Sequence, residues 1–276
     1  MENNNNDRLP DKYEALAQKI GGMPKYRGVG VPMETIRSLV KQGFVSGAGM
    51  KAVEKTARMK LHNIVAPYLG DLDYRKAAAE FLAVKDDAEE LAAFCFGGLN
   101  RHASTEERGR DVVKMYKLLF AKLGETRSVC DLACGLHPLG LPFMGLKRGT
   151  VYRAYDLHRP RAEFLDIFIK GLGYAGGGFH RDIYIDPPAE PVGAAFFFKE
   201  AHRLEKREPG ATVRLIDGVP ANKFVVSLPV SGMNGRRRLS GRYEDMLLSY
   251  ADKNKYPVET MEFGNEVFYI IDKGEG

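Results

Sequence analysis

The first third of the chain carries apolar residues three and four positions apart, which is the spacing of an amphipathic helix. This pattern runs from Asp11 to about Cys95, and it is clearest in the segments YEALAQKI, METIRSLV, MKAVEKTARMKLHNIVAPYL and YRKAAAEFLAV. Glycine and proline residues between these segments divide them into separate helices. We therefore predict a helical N-terminal domain over residues 1–100.

A different pattern begins near Ser104, which forms a capping-box sequence with Glu107 at the start of a further helix. Short apolar segments then alternate with helical ones, and the predicted strands are SVCDLA, VYRAYD, GGFHRDI, AAFFF and KFVVSLPV. Such alternation is typical of a doubly wound, Rossmann-like sheet. Two apolar segments around Gly264-Asn265 predict a closing antiparallel hairpin. We expect this α/β domain to occupy residues 101–276.

The charge of the chain is concentrated in the predicted helical domain. The chain has 276 residues, 44% of them hydrophobic, and a formal net charge of +5. Only four acidic residues lie between positions 8 and 60, against a larger basic set: Arg8, Lys12, Lys19, Lys25, Arg27, Arg37, Lys41, Lys51, Lys55, Arg58 and Lys60. So basic a module is typical of proteins that bind polyanions.

Several classes of protein do not fit the composition. The sequence has no apolar run of about eighteen residues and no signal-peptide pattern at its start, so we expect a soluble, cytoplasmic protein without a membrane partner. Its three cysteines, Cys95, Cys130 and Cys134, lack the spacing of metal ligands. We therefore expect neither a disulfide framework nor a bound metal.

The segment VCDLACGLHPLGLP, residues 129 to 142, has the form of a cofactor-binding loop. A buried strand leads to the small residues Ala133 and Gly135, where backbone can pass close to a ligand. Asp156 ends the next strand about twenty residues later, where an acidic side chain can accept hydrogen bonds from both ribose hydroxyls of an adenosine. A bare turn and a helix-capping aspartate are the alternatives, and the combination favours a nucleoside site.

Three further residues are candidates for the same site. Asp182 ends the following strand, where its carboxylate can accept the adenine amino group while Ile183 packs on the ring. Asp182 can equally be a loop residue paired with Arg181. Arg108 can reach the carboxylate of a methionine moiety through a charge-assisted pair, or it can be an exposed helix arginine.

In these motifs the chain resembles a known family, the 16S rRNA methyltransferases that act at N7 of guanine 1405 and confer aminoglycoside resistance. The resemblance covers roughly Lys25 to Lys273, including the N-terminal segments KYRGVGVPMETIRSLV and VEKTARMKLHNIVAPYL. It is carried by RHASTEER, DLACGLHPLGLP, AYDLH, DIYIDPP, FFFKEAHRLE, VVSLPVSGMNGRRR and FGNEVFYIIDK, in that order.

The resemblance implies an S-adenosylmethionine methyltransferase sheet, a helical rRNA-binding domain and a monomer that acts on 16S rRNA in the small ribosomal subunit. The residues it assigns to the S-adenosylmethionine site are Arg108, Ala133, Gly135, Asp156, Asp182 and Ile183. The basic residues expected at the rRNA are Lys25, Arg27, Lys55, Arg58, Lys60, Lys199, Arg236, Arg237 and Arg238.

Two departures from the family pattern bear on the choice of target. His137 stands where members usually carry asparagine, and SLPVSGMNG replaces a typical Ser-Phe-Pro-Thr-Arg-Ser-Leu-Gly-Gly segment. Ser231 therefore occupies the place of an arginine. Because that loop lies near the active-site mouth in the family, the changes affect the choice of target more than the binding of the cofactor.

The expected chemistry requires no catalytic side chain. Guanine N7 carries a lone pair and no proton, so methyl transfer needs in-line placement and exclusion of water rather than a general base. The alternatives are an RNA-binding or ribosome-assembly factor with this fold, a methyltransferase with a different rRNA target, and a small-molecule methyltransferase. The intact Asp131, Gly135 and Asp156 disfavour the first, and the basic N-terminal domain disfavours the last.

Overall fold

The first part of the chain folds into a compact helical unit. A computed structural model describes residues 10–66, 72–100, 111–230 and 237–274, without the side chains of 237–240. The helices of this unit are α1 (Asp11–Gly21), α2 (Pro24–Arg27), α3 (Met33–Val45) and α4 (Met50–Val65). The apolar residues predicted to recur at helical spacing form its core, including Leu16, Ile20, Ile36, Leu39, Val53, Ala57 and Leu61. The helical prediction is therefore confirmed here.

A seven-stranded sheet forms the centre of the second unit. Its strands are β1 (Ser128–Leu132), β2 (Val151–Asp156), β3 (Ala175–His180), β4 (Val192–Phe198), β5 (Ala221–Pro229), β6 (Val258–Phe263) and β7 (Glu266–Asp272). They lie in the order β3-β2-β1-β4-β5-β7-β6. β1 to β5 are parallel, whereas β7 runs antiparallel to both β5 and β6. The predicted α/β fold with a C-terminal antiparallel hairpin is confirmed.

Helices cover both faces of this sheet, as the near-continuous apolar character of β1 and β4 requires. They are α5 (Tyr74–Val84), α6 (Ala88–Leu99), α7 (Val112–Leu123), α8 (Arg159–Gly171), α9 (Ala201–Arg207), α10 (Ala211–Gly218) and α11 (Arg237–Asn254), with a 3-10 helix at His137–Phe143. α8 approaches β3 so closely that a Cβ at Gly178 would lie 2.1 Å from the carbonyl oxygen of Ala162. The glycine-rich sequence of β3 is thus explained by packing. Among the described residues, no helix is long and apolar enough to cross a membrane.

The two compact units do not divide near residue 100, where the sequence placed the boundary. One unit comprises Met1–Asp71 and Leu157–Pro160, and the other comprises Leu72–Asp156 and Arg161–Gly276. The reason lies in α5 and α6, whose buried residues Phe81 and Cys95 belong to the same apolar core as the sheet residues Val129 and Phe196. Helical spacing identifies a helix but not the surface on which it packs.

Candidate functional site

The loop after β1 adopts the conformation expected of a ligand-binding turn. Ala133 and Gly135 both have positive φ angles, +49° and +56°. A non-glycine residue in this region is uncommon, and such strain tends to persist where surrounding structure and function demand it. The amide of Cys134 donates to the carbonyl of Tyr155 at 3.0 Å, which ties the loop to β2. The loop therefore lies against the carboxyl end of the neighbouring strand.

Asp156, at the end of β2, connects this loop to a buried arginine. Its side chain is only 4% exposed, and Oδ2 accepts the amide of Gly135 at 3.0 Å. The same oxygen accepts Nη1 of Arg161 at 2.9 Å. Arg161 is fully buried, and its Nε donates to the hydroxyl of Tyr74 at 2.8 Å. The predicted pair of Gly135 and Asp156 is thus brought together, and the arginine fixes the carboxylate.

Asp182 lies after β3, and donors from two described residues, Arg207 and Tyr184, contact its carboxylate. Nη1 and Nη2 of Arg207 contact its two carboxylate oxygens at 2.9 and 2.7 Å, and the amide of Tyr184 donates to Oδ1 at 3.1 Å. The ion-pair partner is therefore Arg207 and not Arg181, whose Nε lies 3.2 Å from Asp186. Its neighbour Ile183 is 6% exposed and belongs to the apolar core on this face of the sheet.

Asp131, His137 and Tyr152 form a buried polar cluster next to this loop. Oδ2 of Asp131 lies 2.7 Å from Nδ1 of His137 and accepts the hydroxyl of Tyr152 at 2.7 Å. Burial, together with the charge of Asp131, raises the pKa of Tyr152, so the phenol remains a donor. Within the described residues, Nε2 of His137 is buried without a hydrogen-bond partner. The unusual histidine of the loop therefore contacts Asp131 inside the protein and not the surface.

The three cysteines are unsuited to nucleophilic catalysis. Cys95, Cys130 and Cys134 are all buried as free thiols. Burial raises the pKa of Cys95 to about 12, and it raises the pKa of Cys130 and Cys134 well above the ordinary value. Since the thiolate is the reactive form, these groups stay protonated and unreactive. Among the described residues, no group of three His, Cys, Asp or Glu side chains is placed to hold a metal ion.

Lys199, one of the residues expected at the rRNA, lies in a largely buried position. It follows β4 with a positive φ of +60°, and its side chain is 11% exposed. Its ammonium lies 3.6 Å from Glu266 Oε2, and its amide donates to the carbonyl of Ser227 at 3.1 Å. Burying an ammonium without a partner is costly, which explains why Lys199 pairs with a buried glutamate. The sequence could not reveal this pairing across sixty-odd residues.

In the helical unit, basic side chains surround a pocket of about 460 Å³. Three of the predicted rRNA-contacting residues, Lys25, Lys55 and Arg58, line it. Lys51 of the basic set also lines the pocket but was not among the predicted rRNA contacts, and the rest of the wall is formed by Tyr26, Glu54, Met59 and His62. Helical spacing on α4 accounts for the convergence, because positions 51, 55, 58 and 62 lie three and four residues apart.

Arg27 and Lys60, also expected at the rRNA, do not line this pocket. Arg27 donates to the carbonyl of Gly22 at 2.9 Å, and Lys60 donates to the side chain of Gln42 at 2.8 Å. Several residues named from the sequence lie outside the described part of the chain: Ser104 and Glu107 of the capping box, Arg108, Ser231 and Arg236. The side chains of Arg237 and Arg238 also lie outside it.

Residues 23–270 match the family described as ribosomal RNA methyltransferase FmrO. The 16S rRNA (guanine(1405)-N(7))-methyltransferase of Micromonospora echinospora is 28% identical over 270 residues, covering 95% of this chain and 97% of that protein. The structure of the 16S rRNA methylase RmtB superposes with a TM-score of 0.77 at 24% identity, covering 96% of this chain and 100% of that one. The structure of 16S rRNA methyltransferase RmtF with S-adenosyl-L-homocysteine gives 0.72 at 24% identity, covering 96% and 99%.

Proposed function

Because the chain belongs to the FmrO family of ribosomal RNA methyltransferases, we propose that it methylates N7 of guanine 1405 in 16S rRNA, using S-adenosylmethionine. The observation that carries this proposal is that the family match spans both compact units, the helical one and the sheet. The named target of the Micromonospora echinospora relative supplies the position, since that protein is similar over nearly its whole length.

The residues at the carboxyl ends of β1, β2 and β3 fit S-adenosylmethionine. Ala133 and Gly135 have the positive-φ backbone expected of a ligand-binding turn, and Asp156 and Asp182 provide carboxylates for hydroxyl and amino groups. We propose that Asp156 binds the ribose hydroxyls, that Asp182 accepts the adenine amino group and that Ile183 packs on the base. Arg108 would bind the methionine carboxylate.

The proposed transfer needs placement rather than proton chemistry. When bound, S-adenosylmethionine supplies an electrophilic methyl group on a sulfonium. Guanine N7 needs no base to react with it, so the task of this chain is to orient the two groups and exclude water. A cysteine mechanism is disfavoured because burial raises the pKa of the thiol of Cys134, the cysteine within the loop.

We propose that the helical unit docks the enzyme on the ribosomal small subunit. The cations at the wall of its pocket, Lys25, Lys51, Lys55 and Arg58, can neutralise phosphates and set the register of binding. Arg27, Lys60 and the run from Arg236 to Arg238 would add contacts elsewhere. A guanine in a helix would have to be flipped out of its stack, at a cost of a few kcal/mol. We propose a monomer that acts in the cytoplasm, where its substrate lies.

A methyl-transfer assay with tritiated S-adenosylmethionine tests the function. Isolated small subunits, free 16S rRNA and a panel of small nucleosides serve as acceptors, and mass spectrometry of rRNA fragments locates the product. We expect label in the small subunit at guanine 1405 as 7-methylguanosine. Label at another nucleotide would replace the target, label in nucleosides alone would indicate a small-molecule enzyme, and no label with intact cofactor binding would favour a binding protein.

A further inference from the structure

Arg207 makes an unusually well-defined contact for a residue at the end of a short helix. Its guanidinium engages both oxygens of Asp182, at 2.9 and 2.7 Å. The side chain of Arg207 is 11% exposed and that of Asp182 is 5% exposed. The guanidinium also lies over the ring of Tyr184, with its central carbon 4.3 Å from the ring centroid. A planar fork bound at both oxygens and stacked on a ring has little rotational freedom.

Stability is a poor explanation for this arrangement. Buried ion pairs recover in attraction about what they lose in desolvation, and apolar residues of similar volume often stabilise a protein as well. Burial of Arg207 also has a desolvation cost, because its buried Nε has no hydrogen-bond partner among the described residues. The gain that remains is orientation of the Asp182 carboxylate.

We propose that Arg207 is a positioning residue that holds the Asp182 carboxylate as an acceptor for the adenine amino group, and thereby sets the base selectivity of the cofactor site. This inference rests on the proposed cofactor site. The turn after β3 supports it, because the amide of Tyr184 donates to Oδ1 of Asp182 and fixes the same carboxylate from the backbone side. Arg207 would thus act on the cofactor only through Asp182.

Calorimetry with two probes separates positioning from a general structural role. The probes are S-adenosylhomocysteine and its analogue with a purine base that lacks the 6-amino group. For the wild-type protein we expect the analogue to bind about 10- to 100-fold more weakly, as for loss of a hydrogen bond to a charged acceptor. In Arg207→Gln the affinity for S-adenosylhomocysteine should fall about 10-fold, while that for the analogue stays the same. Arg207→Lys, which keeps the charge but loses the fork, should lie between the two.

The control is Arg203→Gln, which removes from the same helix an exposed arginine that pairs with Glu200. It should keep the wild-type ratio of affinities, and circular dichroism should show all variants folded. If Arg207→Gln does not fold, Arg207→Lys provides the ratio. Equal losses for both probes would make Arg207 merely structural, and tighter binding would mean that it competes with the cofactor. Either result overturns this inference but leaves the proposed cofactor site standing. A wild-type protein that binds neither probe would defeat the proposed cofactor site itself.

Discussion

Replacing Asp156 with alanine should damage the protein in two measurable ways. The carboxylate pairs with Arg161, which is fully buried and 2.9 Å away, so Asp156→Ala removes a carboxylate that compensates a buried guanidinium charge. Removing one partner of a buried pair costs about 3–5 kcal/mol. For a protein of this size about 1 kcal/mol lowers the melting temperature by about 2–4 °C, so we expect a fall of roughly 6–20 °C.

A thermal-melting cycle measures this coupling directly. The cycle comprises Asp156→Ala, Arg161→Met and the double variant, because the double variant removes both charges at once. We expect the double variant to lose less unfolding free energy than the two single variants lose together, by about 1–3 kcal/mol. Asp252→Ala, which removes an exposed aspartate, is the control and should change stability by less than about 0.5 kcal/mol. An Asp156→Ala protein with the melting temperature of the wild type would refute the argument.

The cofactor contact of Asp156 needs a gentler change. Asp156→Asn keeps one oxygen to accept the amide of Gly135 and the guanidinium of Arg161 but removes the charge. We expect S-adenosylhomocysteine to bind about 10- to 100-fold more weakly, equivalent to about 1.5–3 kcal/mol. Calorimetry on the folded variant decides, and an unchanged dissociation constant would remove Asp156 from the site.

Three other predictions test the pocket, the thiols and the biological outcome. Lys55→Gln and Arg58→Gln should each lower the slope of log affinity for small subunits against log salt by about 1, whereas exposed Lys76→Gln should not. The raised pKa values and burial of the three cysteines predict no maleimide labelling of the native protein at pH 8 and full labelling in denaturant. Cells that express the protein should survive gentamicin but not streptomycin, because N7 methylation adds a positive charge where a cationic drug binds. Equal gentamicin sensitivity in cells with wild-type protein and with Asp156→Asn would contradict the resistance prediction.

The parts of the fold that the sequence predicted are those with a local signal. Helical spacing located α1, α3 and α4, and short apolar segments located the parallel strands. The two-residue turn at Gly264-Asn265 was predicted from residue type, and Gly264 has the positive φ of +58° that this requires. Each of these features depends on neighbouring residues and therefore leaves a pattern in the sequence.

The contacts that the sequence could not predict depend on residues that meet only in the folded protein. Asp182 was expected to bind a ligand or to pair with its neighbour Arg181, yet it pairs with Arg207, twenty-five residues away. Nothing in the spacing distinguishes Arg207 from the exposed Arg203 on the same helix. The family resemblance placed Lys199 near the rRNA but gave no sign of its contact with Glu266, which lies on the last strand of the chain.

The sequence did not predict the domain boundary either, because that boundary also depends on contacts made only in the folded protein. The chain leaves the sheet unit after Asp156 and returns to it at Arg161. The four residues between them belong to the helical unit, where the amide of Arg159 donates to the carbonyl of Val29 and Leu157 packs against the helical core. Asp156 and Arg161, the two members of the buried pair, thus flank a segment that belongs to the helical unit. A variant that lacks residues 1–71 would lose the contacts of Leu157 and Arg159 with the helical unit, and the segment that joins Asp156 to Arg161 would be released.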